Sequence, residues 1–332
     1  MTGELERRIR AELHAALPAV TRTAAAALAK IGGPGAVAVL HYGSAMRTKD
    51  AGGVLDFYIL VDDLRAWPGT ALAAAAGAVL PPNVEHLQIK AGRRVVRVKA
   101  AILSFAQFER LTRGAGVDTT VWARFCQPAA LAWRRDEAAA QATASAIGQA
   151  VVTAARWAAT LGPERGPAEA FWSALFKQTY AAELRVERAG REATLMAFAE
   201  DRYRTLTPLA WARAGVAYRT EGDGILRPLI GAAERRRLRL AWAMKRRLGK
   251  PLNVLRLIKA VFTFQGAFRY AAWKIERHTG VRIEVTPWKE RHPVLAAPGV
   301  LWRLSREGVF RRSAAPAGQA PAGQAPLPRS QG

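Results

Sequence analysis

Two short stretches carry residue types that could do chemistry together. Tyr42-Gly43-Ser44 closes one apolar run, and twelve residues after Ser44 an acid, Asp56, sits inside Val54-Leu55-Asp56-Phe57-Tyr58-Ile59. A residue without a side chain lets backbone N–H groups approach a triphosphate, and a neighbouring hydroxyl adds a hydrogen bond. A carboxylate on the adjacent strand holds Mg²⁺, a hard ion that prefers carboxylate and phosphate oxygens. Such an ion offsets charge developing at the α-phosphate and orients a pyrophosphate leaving group. Side chains alternate along a strand, so Asp56 shares its face with Val54, Tyr58 and Leu60. Asp62 has the same parity but lies about 20 Å further along an extended strand, too far to share one ion. A second ligand must come from elsewhere. The competing reading is an ordinary α/β hairpin, but a carboxylate in so apolar a strand costs several kcal/mol without a partner.

The surrounding pattern supplies the elements to position these groups. Leu5, Ile9, Leu13 and Leu17 recur every four residues, which predicts an amphipathic helix ending at Pro18. Residues 36–42 and 54–61 read as buried strands. Residues 84–90 and 94–103, joined by Ala91-Gly92-Arg93, read as a hairpin, and 105–111 as a helix. Residues 136–162 are Ala-rich and helix-prone, and 168–206 read as helices with Trp172, Leu175, Phe176 and Tyr180 on one spacing. The fold class expected is α+β. A mixed-sheet domain (1–137) precedes a mostly helical domain (138–233), for which a winged-helix-like form is one option. A basic, amphipathic, membrane-apposed region (234–312) follows, and then a disordered Pro/Ala/Gly/Gln tail (313–332).

Charge narrows the partners. The 332 residues carry a formal net charge of +24, and 40 of the 50 basic residues are Arg. A chain this basic seeks anions: nucleic acid, nucleotides or an acidic membrane surface. One cysteine, Cys126, excludes an internal disulfide framework and a Cys-rich zinc site, and it reads as a core thiol. No secretory or transit signal and no spanning segment is recognised. The expectation is a cytoplasmic protein, peripheral on the inner face of the cell membrane.

A strand, a Gly-Ser turn, a loop and a second strand carrying an acid is similar to the nucleotidyltransferase pattern, although Tyr58 stands where the general motif has a second carboxylate. More specifically, Tyr42-Gly43-Ser44, Asp56-Phe57 and Val61-Asp62-Asp63 resemble the signature of the mitochondrial-type phosphatidate cytidylyltransferases, which likewise lack that carboxylate. Four further blocks resemble the family in the same order. They are Val98-Lys99-Ala100-Ala101-Ile102-Leu103-Ser104, Ala123-Arg124-Phe125-Cys126-Gln127-Pro128, Thr179-Tyr180-Ala181-Ala182-Glu183-Leu184-Arg185, and Lys259-Ala260-Val261-Phe262-Thr263 with Arg269-Tyr270 and Lys274. The blocks span roughly residues 40–275. The chain departs from the pattern at Ala45 and Ala182, where the family has Gly, at Gln127, where it has Lys, and at Glu183, where it has Asp; Glu183 keeps the carboxylate.

The resemblance implies a reaction in which CTP and phosphatidic acid give CDP-diacylglycerol and pyrophosphate with Mg²⁺, a step toward phosphatidylglycerol and cardiolipin. It implies Asp56 as the metal ligand, Tyr42, Gly43 and Ser44 around the triphosphate, Lys99 as a phosphate-holding charge, Arg124 as a phosphate clamp, and Glu183 with Arg185 completing the site from the helical domain. Each of these has a bland alternative: Lys99 a solvated strand residue, Arg124 a helix cap or ion-pair partner, Glu183 and Arg185 ordinary interdomain ion pairs.

From 234 to 312 the chain holds 20 Lys/Arg against 5 Glu. Val254, Ile258, Val261, Phe262 and Phe268 keep near-helical spacing with Arg256, Lys259, Arg269 and Lys274 between them, and Trp288, Trp302 and Phe310 accompany further basic residues. Rings at the headgroup level and cations near anionic lipid suit a segment lying on a bilayer; a solvated basic helix pair packed on the core is the alternative. No base-reading motif is present, so no specific nucleic acid partner is expected. Two rival functions use the same residues: a nucleotidyltransferase acting on RNA or protein, and a non-catalytic basic lipid- or nucleic-acid-binding protein that keeps the fold. Acyl preference and oligomeric state have no sequence signal.

Overall fold

The computed structural model describes residues 2–43, 46, 53–182, 191–263, 272, 276, 281–291 and 293–306. The two apolar runs that flank the Gly-Ser turn pair with each other: β1 (Ala36–Tyr42) lies antiparallel to β2 (Leu55–Val61), with Tyr42 opposite Asp56. β3 (Asn83–Ala91) and β4 (Arg94–Ser104) form the expected hairpin, and β4 runs parallel to β2 with Lys99 beside Asp56. β5 (Ala129–Arg134) pairs antiparallel with the other edge of β1. The result is a five-stranded mixed sheet in the order β3-β4-β2-β1-β5.

Strand alternation gives this sheet two apolar faces, and each is covered. On one, α2 (Ala19–Gly32) lays Ala24, Ala25 and Leu28 on Val39, Phe57, Ile59 and Ile102. On the other lie Leu40, Tyr42, Tyr58, Leu60 and Leu103, in one apolar cluster with Leu5 and Ile9 of α1 (Thr2–Leu13) and Ile147, Val151 and Ala155 of α6 (Glu137–Leu161). That cluster continues into Phe171, Trp172 and Phe176 of α7 (Ala168–Ala182) and Tyr203, Leu206 and Trp211 of α8 (Arg191–Arg213). The remaining helices of this region are α3 (Ala71–Val79), α4 (Phe105–Thr112) and α5 (Thr120–Phe125). A small hairpin, β6 (Tyr218–Glu221) with β7 (Ile225–Pro228), precedes the long α9 (Ala232–Thr263).

The chain divides into two compact units, 1–257 and 258–332. The boundary expected at 137/138 falls at the start of α6, where Asp136 caps the helix by accepting from the Ala139 N–H at 2.7 Å. The buried face of α6 shares the sheet's core, so sheet and helices interleave within the first unit. In the second unit, α10 (Pro287–Arg291) and α11 (Pro293–Arg306) accompany a small cluster of Ala272, Ile283 and Ala296. The expected tail, 313–332, lies outside the described residues. Among the described residues, no helix is long and apolar enough to cross a membrane.

Several elements differ from expectation. α1 stops at Leu13, short of Leu17. α2, α3, α5, β5 and the β6–β7 hairpin have no counterpart in the sequence reading.

Candidate active site

A row of four side-chain positions crosses the sheet on the face shared with the helices. The registers place Tyr42 opposite Asp56, Asp56 beside Lys99, and Lys99 opposite His86. Strands stand about 4.8 Å apart, so Asp56 has an aromatic phenol on one flank and a cation on the other. Its strand continues inward to Tyr58 and Leu60, which are buried, whereas Asp56 is half-buried at the rim.

Gly43, immediately past β1, sets the geometry at that rim. Its φ is +95°, in the region that favours glycine, and a Cβ placed on it would lie 2.9 Å from Asp56 Oδ2. The carboxylate therefore rests over bare backbone in the space a side chain would fill. Mg²⁺ is commonly held by one or two carboxylates together with substrate phosphates and water. One carboxylate facing an open stretch of backbone fits that mode of binding. Among the described residues, no group of three His, Cys, Asp or Glu side chains gathers as a metal cluster.

α5 brings the second cation. Its last turn places the Arg124 guanidinium 4.8 Å from the centroid of the Tyr42 ring, a cation–π contact on the residue that faces Asp56. Phe125, next in the chain, packs edge-on against Tyr58 at 4.9 Å and Phe108 at 4.9 Å, which fixes the helix to the sheet. The C-terminal end of α5 is held from the other side. Arg202 of α8 donates to the Cys126 carbonyl at 2.7 Å and to Glu12 Oε2 at 2.8 Å. Gln127 donates to the Ala123 carbonyl at 2.8 Å. Cys126 is fully buried, and burial pushes its thiol up to about 12, which removes it as a nucleophile and agrees with its reading as a core residue.

His41 was not foreseen. It lies buried on the opposite face of β1, its ring tilted 45° against Phe57 at 5.0 Å. Its Nδ1 is 3.0 Å from the Asp56 carbonyl oxygen; a carbonyl only accepts, so Nδ1 carries the proton. Burial lowers the imidazole's pKa, against the raising effects of the Asp56 backbone hydrogen bond and the Asp56 charge. A neutral imidazole thus clamps the backbone that carries the candidate metal ligand. The only sequence signal was a histidine in an apolar strand.

Asp62 sits at the far end of β2 and pairs with Arg135 at 2.5 Å, consistent with its exclusion from an ion shared with Asp56. Lys259 is buried on α9. Ser44, Glu183, Arg185, Arg269 and Lys274 lie outside the described residues. Arg256, read from sequence as one of the cations interleaved along a membrane-facing helix, is instead folded inward. It donates to Asp118 Oδ2 at 2.5 Å and to the Pro81 carbonyl at 2.7 Å. Burial alone would raise the Asp118 carboxyl, but the Arg256 charge and the hydrogen bonds from Arg256 and Thr120 outweigh it and hold Asp118 below the usual carboxylate range. Lys245, one helical face along, donates to the carbonyls of Gly114 and Gly116.

No protein-family model matches the chain, and no curated protein is found to be similar to it.

Proposed function

We propose that the protein is a Mg²⁺-dependent CTP:phosphatidate cytidylyltransferase, with a nucleotidyltransferase-type sheet domain as its catalytic platform. The observation that carries the nucleotidyl-transfer reading is the Asp56 carboxylate lying 2.9 Å from where a Gly43 side chain would be. It is supported by Lys99 on the neighbouring strand and Arg124 above Tyr42. CTP and phosphatidic acid as the two substrates follow from the resemblance of the sequence blocks.

In this reading a phosphate oxygen of phosphatidic acid forms a bond to the α-phosphorus of CTP. The bond from that phosphorus to the bridging oxygen of the β-phosphate breaks, and pyrophosphate leaves with the electron pair. Bound Mg²⁺ would supply Lewis-acid stabilisation of the phosphoryl oxygens. Asp56 would hold it, and the bare backbone at Gly43 admits the triphosphate at close range. Lys99 contributes a point charge and Arg124 a planar fork suited to phosphate oxygens. Ser44, Glu183 and Arg185 are proposed around the same substrates. The reading also includes an anionic membrane surface as the place where the lipid substrate is met.

The test is turnover. Purified protein with CTP, Mg²⁺ and phosphatidic acid vesicles should yield CDP-lipid and pyrophosphate. Asp56→Asn should lower kcat by about a thousandfold or more, since metal-centred charge stabilisation is worth several kcal/mol. Label transfer to tRNA or protein without CDP-lipid would reassign the acceptor, and absence of turnover on all of these, with lipid or RNA binding unchanged after Asp56→Asn, would leave a binding protein.

A further inference from the structure

The β3–β4 hairpin runs past the end of β2. Leu55, the first residue of β2, pairs with Val98, so residues 94–97 of β4 and their partners on β3 extend beyond the strand that carries Asp56. One face of this overhang is committed to packing: Ile89, Val96 and Val98 are buried in the cluster shared with α2. The other face continues the Asp56 row outward. Arg97 and Val95 follow Lys99 on alternate positions, and Lys90 stands opposite Val95. Arg97 and Lys90 are exposed, and so is Val95 at 65%. Val54, just ahead of β2 at the same rim, is 43% exposed. From Lys99 to Val95 the strip is about 13 Å long at about 3.3 Å per residue. It mixes cations with apolar side chains and carries no acid among the described residues.

Two constraints say what this strip can hold. Gly43 and Lys99 lie on opposite flanks of Asp56, because β2 stands between β1 and β4. In an in-line displacement the attacking and leaving oxygens lie on opposite sides of the phosphorus. With the triphosphate over Gly43, the acceptor enters from the Lys99 flank. That flank offers charge but no carboxylate base. His86, opposite Lys99, is two strand spacings from Asp56, about 10 Å, too far to take a proton at the metal. A hydroxyl acceptor would need such a base. A phosphomonoester arrives already ionised, its second pKa being about 6.

We propose that the outer strip of the β3–β4 hairpin is the acceptor subsite, holding a phosphomonoester that carries an apolar body. Arg97 and Lys90 meet the phosphate, and Val54 and Val95 lie against the apolar part. The assignment rests on the nucleotidyl-transfer reading of Asp56 and gives Arg97 and Lys90 a part in holding the acceptor rather than CTP. A polynucleotide would engage the cations and leave both valines against water.

Calorimetric titration of the full chain with Mg²⁺ separates acceptor from nucleotide. The probes are dihexanoyl phosphatidic acid, glycerol 3-phosphate and α,β-methylene CTP, which cannot release pyrophosphate. The wild type should bind the diacyl probe. Lys90→Gln/Arg97→Gln should weaken that binding on the order of tenfold or more, with affinity for α,β-methylene CTP changed by less than about twofold. Val54→Ser/Val95→Ser should weaken the diacyl probe by roughly threefold to tenfold and leave glycerol 3-phosphate unaffected. All four side chains are exposed, so neither variant removes core. Unchanged affinity for the diacyl probe in Lys90→Gln/Arg97→Gln overturns the subsite, and so does an equal loss of affinity for the nucleotide. Glycerol 3-phosphate bound as tightly as the diacyl probe would reduce the strip to a plain phosphate site and overturns the apolar half. Oligouridylate binding that suffers more than the diacyl probe would assign the strip to nucleic acid and also overturns it. The two readings fail separately. Absence of CDP-lipid, with diacyl binding still sensitive to Arg97→Gln, removes the cytidylyltransferase and keeps the phosphomonoester site. Normal turnover with an acceptor KM unmoved by Arg97→Gln removes the subsite alone.

Discussion

Gly43 has no room for a methyl group. Alanine there would sit 2.9 Å from Asp56 Oδ2 and would be held at φ +95°. The left-handed backbone costs a non-glycine residue about 1–2 kcal/mol. Gly43→Ala should therefore lower stability by about that much, measured by urea unfolding, and should depress the proposed CTP turnover far more than the stability loss accounts for. His41 gives a pH signature. Its folded pKa lies below the ordinary value of 6.5, so the unfolded chain takes up the proton first as pH drops. Stability is fully present above about 6.5 and declines as pH falls below it. His41→Phe should flatten the unfolding midpoint between about pH 6.5 and 5; a wild-type midpoint that rises over that interval would refute the assignment. At this scale Gly43, Asp56 and Lys99 were legible, because a turn and two strands place them by short-range spacing. His41 and Asp118 were not. An isolated polar residue announces nothing until its partner arrives, and Asp118 meets Arg256 across 138 positions.

Among the elements, the apolar runs and the Ala91-Gly92-Arg93 turn made β1, β2 and the β3–β4 hairpin readable. β5 reads Ala-Ala-Leu-Ala-Trp-Arg, a composition that favours helix in isolation; pairing with the exposed edge of β1 overrides it. α2 is too rich in alanine for its apolar face to stand out from the rest of its circumference. α9 was recognised as basic and amphipathic, but which cations face inward depends on tertiary contacts. The Arg256–Asp118 pair makes that docking testable. Arg256→Met leaves a buried carboxylate without its partner and should cost about 3–5 kcal/mol, read from denaturant unfolding. The variant should also weaken a pH trend. In the wild type the pair's contribution is present above about pH 4 and is lost as pH falls through the lowered Asp118 pKa; in the variant burial is opposed only by the Thr120 hydrogen bonds, so that contribution should shrink. Asp118→Asn/Arg256→Met should recover part of the loss. Equal stability of Arg256→Met and wild type at neutral pH would show that the contact does not anchor the helix.

For the molecule as a whole, the shared core is the main departure from a bead-like reading of sheet domain and helical domain. Tyr58 and Leu60 of the sheet belong to the same buried cluster as Trp172 and Trp211 of the helices, and Trp211 donates to the Ala155 carbonyl at 2.8 Å. Removing a fully buried aromatic costs about 3–5 kcal/mol. Trp172→Ala should therefore lower the unfolding midpoint seen by a probe in the β3–β4 hairpin as much as that seen by a probe in α7. A sheet transition left unmoved would mean that the two parts fold independently. The sequence could not disclose this, since the α6 helix looks the same whether its alanines pack on its own domain or on the neighbouring sheet. The burial of Cys126 against α8, in a chain with a single sulfhydryl, has a practical corollary. Modification by a bulky maleimide must wait for the corner between α1, α5 and α8 to come apart, so its rate under native conditions is a built-in clock for that opening, readable by mass spectrometry without any engineered label.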